Sequence, residues 1–370
     1  MTSRPGWFTF PDHMARILYG VHGTGHGHAV RALTLARHFA GLGHEFLFVS
    51  HGTGADILRR EFPVEDVPNT VTPIRGHKVA LLATIFSSLS VLSRSRTYLD
   101  RVLSLMDRFQ PDVTMSDYEY FVPQAARRAG LPCLSVDHQH VITACRHPLR
   151  WSQYPSYLST AWAVKNMFSR ASDYLVISFF RPPLKPGLPV RVLPPLLRET
   201  VLRRRPSEGG HVVAYQGYTT FKRFLPFLRA IPSPVKVYGF DTTGTDGNLH
   251  FKKNSETGFL DDLSACRYVV CGGSHTLLSE ALYYGKPVIS FPIQGAFEQF
   301  LNAFYLERLG YGRCFTGFNP RPEIIPAFES QMEDFRRNLG QETFCGNPEI
   351  FALVEQFIRE KRLVYRASRS

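Results

Sequence analysis

Apolar residues recur along this chain with two different periods. Short runs at Ile17 to Val21, Phe46 to Ser50, Val113 to Ser116, Cys133 to Val136 and Leu175 to Ser178 have the length and β-rich composition of strands. Between them, Val30 to Ala40 and Tyr98 to Arg108 place their apolar residues at helical spacing. Alternating strand and helix signals predict an α/β fold, a parallel sheet covered by helices on both faces. A second series opens at His211 to Tyr215 and runs through Val235 to Gly239, Tyr268 to Cys271 and Val288 to Phe291. The intervening Phe179 to Gly210 is rich in proline and arginine, the composition of a linker. The pattern therefore predicts a first domain over 14–185, a linker over 186–209, a second domain over 210–345 and a closing segment over 346–370. Open α/β sheets bind ligands beyond the carboxyl ends of their strands, so two facing domains predict one shared cleft.

The second series carries the strongest chemical signal. After the strand Tyr268 to Cys271 come Gly272-Gly273-Ser274, and then helical spacing from Thr276 to Tyr284. A glycine turn opening a helix offers unpaired backbone N–H groups and a partial positive charge to a phosphate. Ser274, His275 and Thr276 stand where a diphosphate would sit. Glu280 follows about one helical turn after Thr276, and from there its carboxylate is expected to accept both hydroxyls of a ribose. Gly285-Lys286-Pro287 ends the helix, and Val288 to Phe291 leads through Pro292 to Glu298, Gln299 and Asn302, which begin another helix. These last residues are expected to hydrogen-bond sugar hydroxyls.

These residues resemble the donor-binding half of the GT-B glycosyltransferases, especially the bacterial N-acetylglucosaminyltransferases of the lipid-linked peptidoglycan precursor and their uncharacterised bacterial and archaeal relatives. The likeness is carried by GG-S-H-T-x-x-S-E-A-L at Gly272 to Leu282, G-K-P-V at Gly285 to Val288, P-x-x-x-x-x-E-Q at Pro292 to Gln299, and N-A at Asn302-Ala303. The resemblance implies two Rossmann-like α/β/α domains facing a central cleft. It implies an enzyme of hexosyltransferase type that inverts the anomeric carbon and needs neither a metal nor a cofactor beyond its donor. The donor would be a nucleotide sugar, first a uridine diphosphate sugar, held by Gly273, Ser274, His275, Thr276, Glu280, Glu298 and Gln299. It further implies base contacts near Phe259 and Leu260, and a closing helix, Ile350 to Lys361, that crosses back to the first domain. One turn departs from the pattern: Gln216-Gly217-Tyr218 stands where relatives have more glycine and serine.

The first domain has its own glycine loop, Gly20 to Arg31. It fails the dinucleotide test, because His28 and Val30 stand where a third glycine belongs. Gly23-Thr-Gly25-His-Gly27-His28-Ala-Val-Arg31 instead resembles the G-x-G-x-G-H-x-x-R pattern on the acceptor side of the same family, which implies that His28 is the general base. A sugar hydroxyl is a weak nucleophile until a neighbour takes its proton. Asp117, just beyond the strand Val113 to Ser116, is expected to orient His28, a pairing also used by plant glucosyltransferases. Glu119 and His138 stand as alternative bases, and Asp137 to His140 follow a strand that points at the cleft. His22, His26 and His28 together are a weak metal set, lacking a carboxylate or further ligand. A nucleotide-sugar 2-epimerase or hydrolase, or a non-catalytic nucleotide-sugar sensor, remains an open alternative.

Charge then narrows the partners. The chain has 43 Lys and Arg against 31 Asp and Glu, a formal net charge of +12. It carries no zinc-finger or RNP signature, and its basic residues are dispersed in groups such as Arg127-Arg128 and Arg203-Arg204-Arg205, so no nucleic-acid partner is expected. An anionic membrane surface is the better special case. The apolar stretch Val79 to Leu92 is broken by serines and falls short of the roughly 20 residues that span a bilayer. Together with the aromatic run Trp151 to Phe168, it suits a lipid-linked or membrane-proximal acceptor. Six cysteines with no CxxC pair read as reduced thiols, and the first residues lack the apolar run of a signal peptide. Residues before Met14 are expected to be an extension or an upstream start. The expected setting is cytoplasmic, with peripheral association at the inner face of the membrane.

Overall fold

The computed structural model of the chain describes residues 14–69, 74–75, 78–79, 89–215, 224–317 and 320–365. Its first half supplies β1 (Arg16–Val21), β2 (Glu45–Ser50), β3 (Val64–Asp66), a hairpin of β4 (Ile74–Arg75) and β5 (Lys78–Val79), β6 (Val113–Asp117), β7 (Cys133–Asp137), β8 (Asp173–Ile177) and β9 (Val190–Leu193). All but the hairpin form one parallel sheet in the order β3-β2-β1-β6-β7-β8-β9. β6, β7 and β8 are buried along their whole length, as strands must be when helices cover both faces.

The second half supplies β10 (Val212–Tyr215), β11 (Val235–Tyr238), β12 (Gly244–Asp246), β13 (Leu249–Phe251), β14 (Val269–Cys271), β15 (Val288–Ser290) and β16 (Gly312–Cys314). They line up as β12-β13-β11-β10-β14-β15-β16, parallel except for β12 at the edge. In both sheets the chain winds outward from a central pair, β1 and β6 in one and β10 and β14 in the other. At such a reversal the loops leaving the two strands diverge and open a crevice.

One difference from the sequence expectation follows from weak local signals. The stretch 186–209, read as linker, contains β9, which pairs with β8 through Val176↔Val192 and completes the first sheet. The prolines around Val190–Leu193 disguise it, since proline is tolerated where a strand lies at a sheet edge. The helix Asn347–Glu360 packs on the first domain. Its Ile350, Leu353, Val354, Phe357 and Ile358 share a core with Ile17, Tyr19, Phe39 and Phe46. A separate core joins the domains, with Val141, Phe179 and Phe180 against Leu278, Leu301 and Tyr305.

Candidate active site

At the reversal of the first sheet, Val21 and Asp117 end β1 and β6 side by side. The backbone N–H of His22 donates to the Asp117 carbonyl at 3.0 Å, tying the glycine loop to β6. Gly25, with φ of 84°, precedes the helix His26–Ala40, so His28 and Arg31 lie one turn apart on its first turns. Arg31 grips the fully buried Asp117 with two hydrogen bonds, Nε to Oδ2 at 2.7 Å and Nη2 to Oδ1 at 2.6 Å. Burial works against the guanidinium, but the Asp117 charge outweighs it and the Arg31 pKa is raised.

His28 Nδ1 meets Asp117 Oδ1 at 2.7 Å. A carboxylate only accepts, so in the neutral ring Nδ1 carries the hydrogen and Nε2 the lone pair. The arrangement therefore fixes the tautomer a general base needs. Facing Nε2 at 3.5 Å is the side-chain amide of Gln139, which also donates to Glu298 Oε2 across the cleft at 3.0 Å. Among the described residues, Gln139 Oε1 and His22 Nδ1 are buried with no hydrogen-bond partner. Each such orphan costs about 1–3 kcal/mol, a cost that a bound hydroxyl or water would relieve. The His22 ring lies 5.1 Å from that of His28, and burial, followed by His28, lowers its pKa to about 3. His26 is exposed, and among the described residues no group of three His, Cys, Asp or Glu is placed to hold a metal.

Tyr118, directly after Asp117, has φ of 52°, a left-handed conformation that a bulky residue adopts only under constraint. The turn it makes lays its ring on Phe168, with centroids 3.9 Å apart, and 6.2 Å from His28. Glu119 does not face the cleft. Its Oε1 and Oε2 accept the N–H groups of Phe121 and Val122 at 2.8 and 2.6 Å, capping the helix Phe121–Ala129. Asp137 is likewise spent locally, on the backbone and ring of His140 and on Ser135.

In the second domain, Ser274 caps the helix His275–Tyr283 with no side-chain hydrogen bond of its own, and the first turn carries no acid. The glycine before it is obligatory: a Cβ on Gly273 would come within 2.3 Å of the Gln299 carbonyl oxygen. Gln299 Oε1 accepts from the N–H groups of Ile293 and Gly273 at 3.2 and 3.4 Å, and Asn302 Nδ2 donates to the Gly273 carbonyl at 2.9 Å. The two glycine turns meet, since a Cβ on Gly27 would lie 2.7 Å from Thr276 Oγ1. Two helix N-termini, neither with a side-chain cap nor an acid in its first turn, thus converge on the cleft.

Three candidate side chains at the domain junction are engaged elsewhere than the sequence suggests. Both oxygens of Glu280 are taken by Arg198, Nε to Oε1 at 2.8 Å and Nη2 to Oε2 at 3.0 Å, and the residue is buried, so no free carboxylate stands above the crevice. No local pattern signals this pairing, because Arg198 lies 82 residues away in the proline-rich stretch. The His275 ring is buried against His138, with centroids 3.8 Å apart. His138 itself bridges the domains, Nδ1 at 2.8 Å from the Ile177 carbonyl and Nε2 at 2.7 Å from Asn302 Oδ1, which leaves neither nitrogen for a substrate. The turn at Gln216 to Thr220 lies outside the described residues. Leu260 is fully buried, and Phe259 packs beside Tyr215.

The chain is similar to known proteins in sequence and in fold. Residues 15–332 match the family described as Glycosyl transferase family 1. A protein of Methanosarcina acetivorans named as an uncharacterized glycosyltransferase is 24% identical over 351 residues, 86% of this chain and 90% of the relative. The solved structure of the spinosyn forosaminyltransferase SpnP matches with a TM-score of 0.64 at 15% identity, over 94% of this chain and 100% of that one. The Streptomyces sp. SF2575 glycosyltransferase SsfS6, complexed with thymidine diphosphate, matches with a TM-score of 0.59 at 17% identity, over 92% of this chain and 99% of that one. At such identities the structural likeness is one of fold, two Rossmann-like domains facing a cleft. The family match runs through both domains, and the chain belongs to glycosyl transferase family 1 as a glycosyltransferase of GT-B fold.

Proposed function

We propose that this glycosyltransferase moves a sugar from a pyrimidine nucleoside diphosphate, uridine first, to a lipid-linked or cell-envelope hydroxyl, with inversion at the anomeric carbon. The observation that carries the reading is the fixed tautomer of His28, Nδ1 held by Asp117 at 2.7 Å and Nε2 turned to the cleft. In the proposed step, Nε2 takes the acceptor proton as the acceptor oxygen attacks the anomeric carbon from the face opposite the diphosphate. The bond from that carbon to the phosphate oxygen breaks, and the nucleoside diphosphate leaves with the electron pair. Asp117 stabilises the imidazolium, which then loses its proton to solvent.

The departing diphosphate would meet the N–H groups at Ser274, His275 and Thr276, where Gly273 leaves room for it. Backbone dipoles and the helix terminus would carry its charge, with no metal or further cofactor required. Glu298 and Gln299 begin the helix that borders the sugar position. Glu280 enters the reading through Arg198, as the group that holds the helix His275–Tyr283 against the interdomain segment. The donor class is supported by the thymidine diphosphate bound to the similar SsfS6.

The test is a thermal-shift screen of uridine, thymidine, adenosine and guanosine diphosphates and their sugars, followed by product stereochemistry. A selective rise with a pyrimidine diphosphate, and a β-linked product from an α-linked donor, is the expected result. Free sugar or its epimer formed without an acceptor would replace transfer by hydrolysis or epimerisation. Binding with no turnover would make the protein a sensor.

A further inference from the structure

We infer that the helix Tyr154–Ala163, with the basic residues flanking it, docks this protein on an anionic lipid bilayer. The inference rests on the reading of the acceptor as lipid-linked and names the surface that would bring it to the cleft.

None of the ten residues of this helix is buried. Tyr154, Leu158 and Trp162 recur at every fourth position and are 38%, 58% and 63% exposed, and Trp151 just before them is 90% exposed. The helix is nevertheless anchored from its other side. Tyr157 lies 5.6 Å from Phe297 of the second domain, Tyr157 and Ala161 pack on the core shared by both domains, and Val164 at its end is fully buried. The outer stripe is thus a built apolar face, larger than the scattered exposed residues of an ordinary surface.

Charge identifies what covers it. From Arg146 to Arg170 the chain has Arg146, Arg150, Lys165 and Arg170 and not one Asp or Glu. All four cations are exposed, and among the described residues none forms an ion pair with a side chain. A second copy of the chain docking face to face would bring these cations together. A bilayer with anionic headgroups suits both halves of the pattern, because indole and phenol rings settle at the boundary of hydrocarbon and water while Arg and Lys meet the phosphates. Among the described residues no helix is long and apolar enough to cross a membrane, so the contact would be in the interface plane.

The surface also continues into the cleft. The segment Val164–Phe168 extends the helix inward, and Phe168 stacks on Tyr118, the residue that follows Asp117. A lipid-linked acceptor held at this face would therefore present its head group beside His28.

The experiment is co-sedimentation of the full chain with vesicles of phosphatidylcholine alone or with added phosphatidylglycerol. The wild type is expected to pellet with the anionic vesicles at low salt, to release as salt rises, and to shift its tryptophan emission to the blue, since two of its three tryptophans lie on this face. The triple variant Trp151→Ser, Leu158→Ser, Trp162→Ser should lose at least about ten-fold in partitioning, with thermal midpoint and uridine diphosphate binding unchanged. Replacing Arg150, Lys165 or Arg170 by Gln should each weaken binding roughly five-fold, the equivalent of about 1 kcal/mol per cation near an anionic surface. Wild type that stays in the supernatant at low salt overturns the inference, as does a triple variant that partitions like wild type. A wild-type dimer that the triple substitution dissolves, without vesicle binding, overturns it in favour of self-association. Vesicle binding by a protein that binds no nucleotide would leave this surface standing and remove the transferase reading.

Discussion

Both domains present the cleft with a glycine turn running into a helix, and the two turns touch at Gly27 and Thr276. They are built for different work. The first turn ends in a side chain steered by two others, His28 by Asp117 and Asp117 by Arg31. The second has its polar side chains tied up: His275 with His138, Asn302 with His138 and Gly273, Gln299 with Gly273 and Ile293, and Glu280 with Arg198. It is left with Ser274, Thr276 and its backbone N–H groups. A proton is moved by a titratable side chain, whereas arriving charge is met best by dipoles that do not reorganise, and the two turns divide along that line.

The contrast breaks most sharply at His28. His28→Ala should lower turnover by about 10²–10⁴-fold, the usual contribution of a general base, while calorimetry finds nucleotide binding unchanged. Loss of binding instead would merge the two roles in one turn. Asp117→Asn comes next. The amide can turn its NH₂ towards His28 and so favour the wrong tautomer, and Arg31 loses its buried counter-charge. Turnover should fall steeply, and stability in urea should drop by about 3–5 kcal/mol, as when one member of a buried pair is removed. A variant as stable as wild type would mean that the Arg31 charge is satisfied elsewhere.

The two turns were also unequally legible in the sequence. Gly23, Gly25 and His28 lie in six consecutive residues, and Asp117 ends a strongly apolar run, so strand pairing alone brings them together. The glycine turn at Gly272-Gly273 was equally plain. The partners of its side chains were not, because Arg198 and His138 reach them from the proline-rich stretch and the first domain, contacts that no local period encodes. Glu280 shows the consequence: helical spacing placed it correctly on the helix, but its carboxylate is claimed by a residue from the proline-rich stretch. The same holds for the fold. The central strands are continuous apolar runs and read clearly, whereas β9 and β16 sit at sheet edges, where partners and not sequence decide strand formation.

On the second turn, smaller effects separate shape from charge. Gly273→Ala puts a Cβ against the Gln299 carbonyl and should cost about 1–3 kcal/mol of stability, together with donor affinity. Ser274→Asp keeps a good helix cap and should leave stability equal or slightly higher, yet weaken nucleoside diphosphate binding by roughly ten-fold through repulsion at the helix terminus. If Ser274→Asp binds the diphosphate normally, the phosphate site is not at this turn.

The smallest effect lies beneath the first turn. Burial raises the Glu119 carboxyl to about 7 from 4.5, with the N–H groups of Phe121 and Val122 only partly offsetting it. An acid raised in the folded state adds stability that is complete below its unfolded pKa and lost as pH climbs through the folded one. Glu119 thus favours folding below about 4.5 and loses that contribution as pH rises through about 7. His22 acts in the opposite sense: lowered from 6.5 to about 3, it stabilises above 6.5 and loses that stability as pH falls towards 3. The two slopes partly cancel between 4.5 and 6.5, so the wild-type midpoint should change little there. Glu119→Gln keeps the carbonyl that caps the helix and removes one slope. Its midpoint should rise by a few degrees relative to wild type as pH is raised from 4.5 to 7. Midpoints of variant and wild type that run parallel across that range would mean that Glu119 is ionised beneath the turn, with its capping bonds strong enough to outweigh burial.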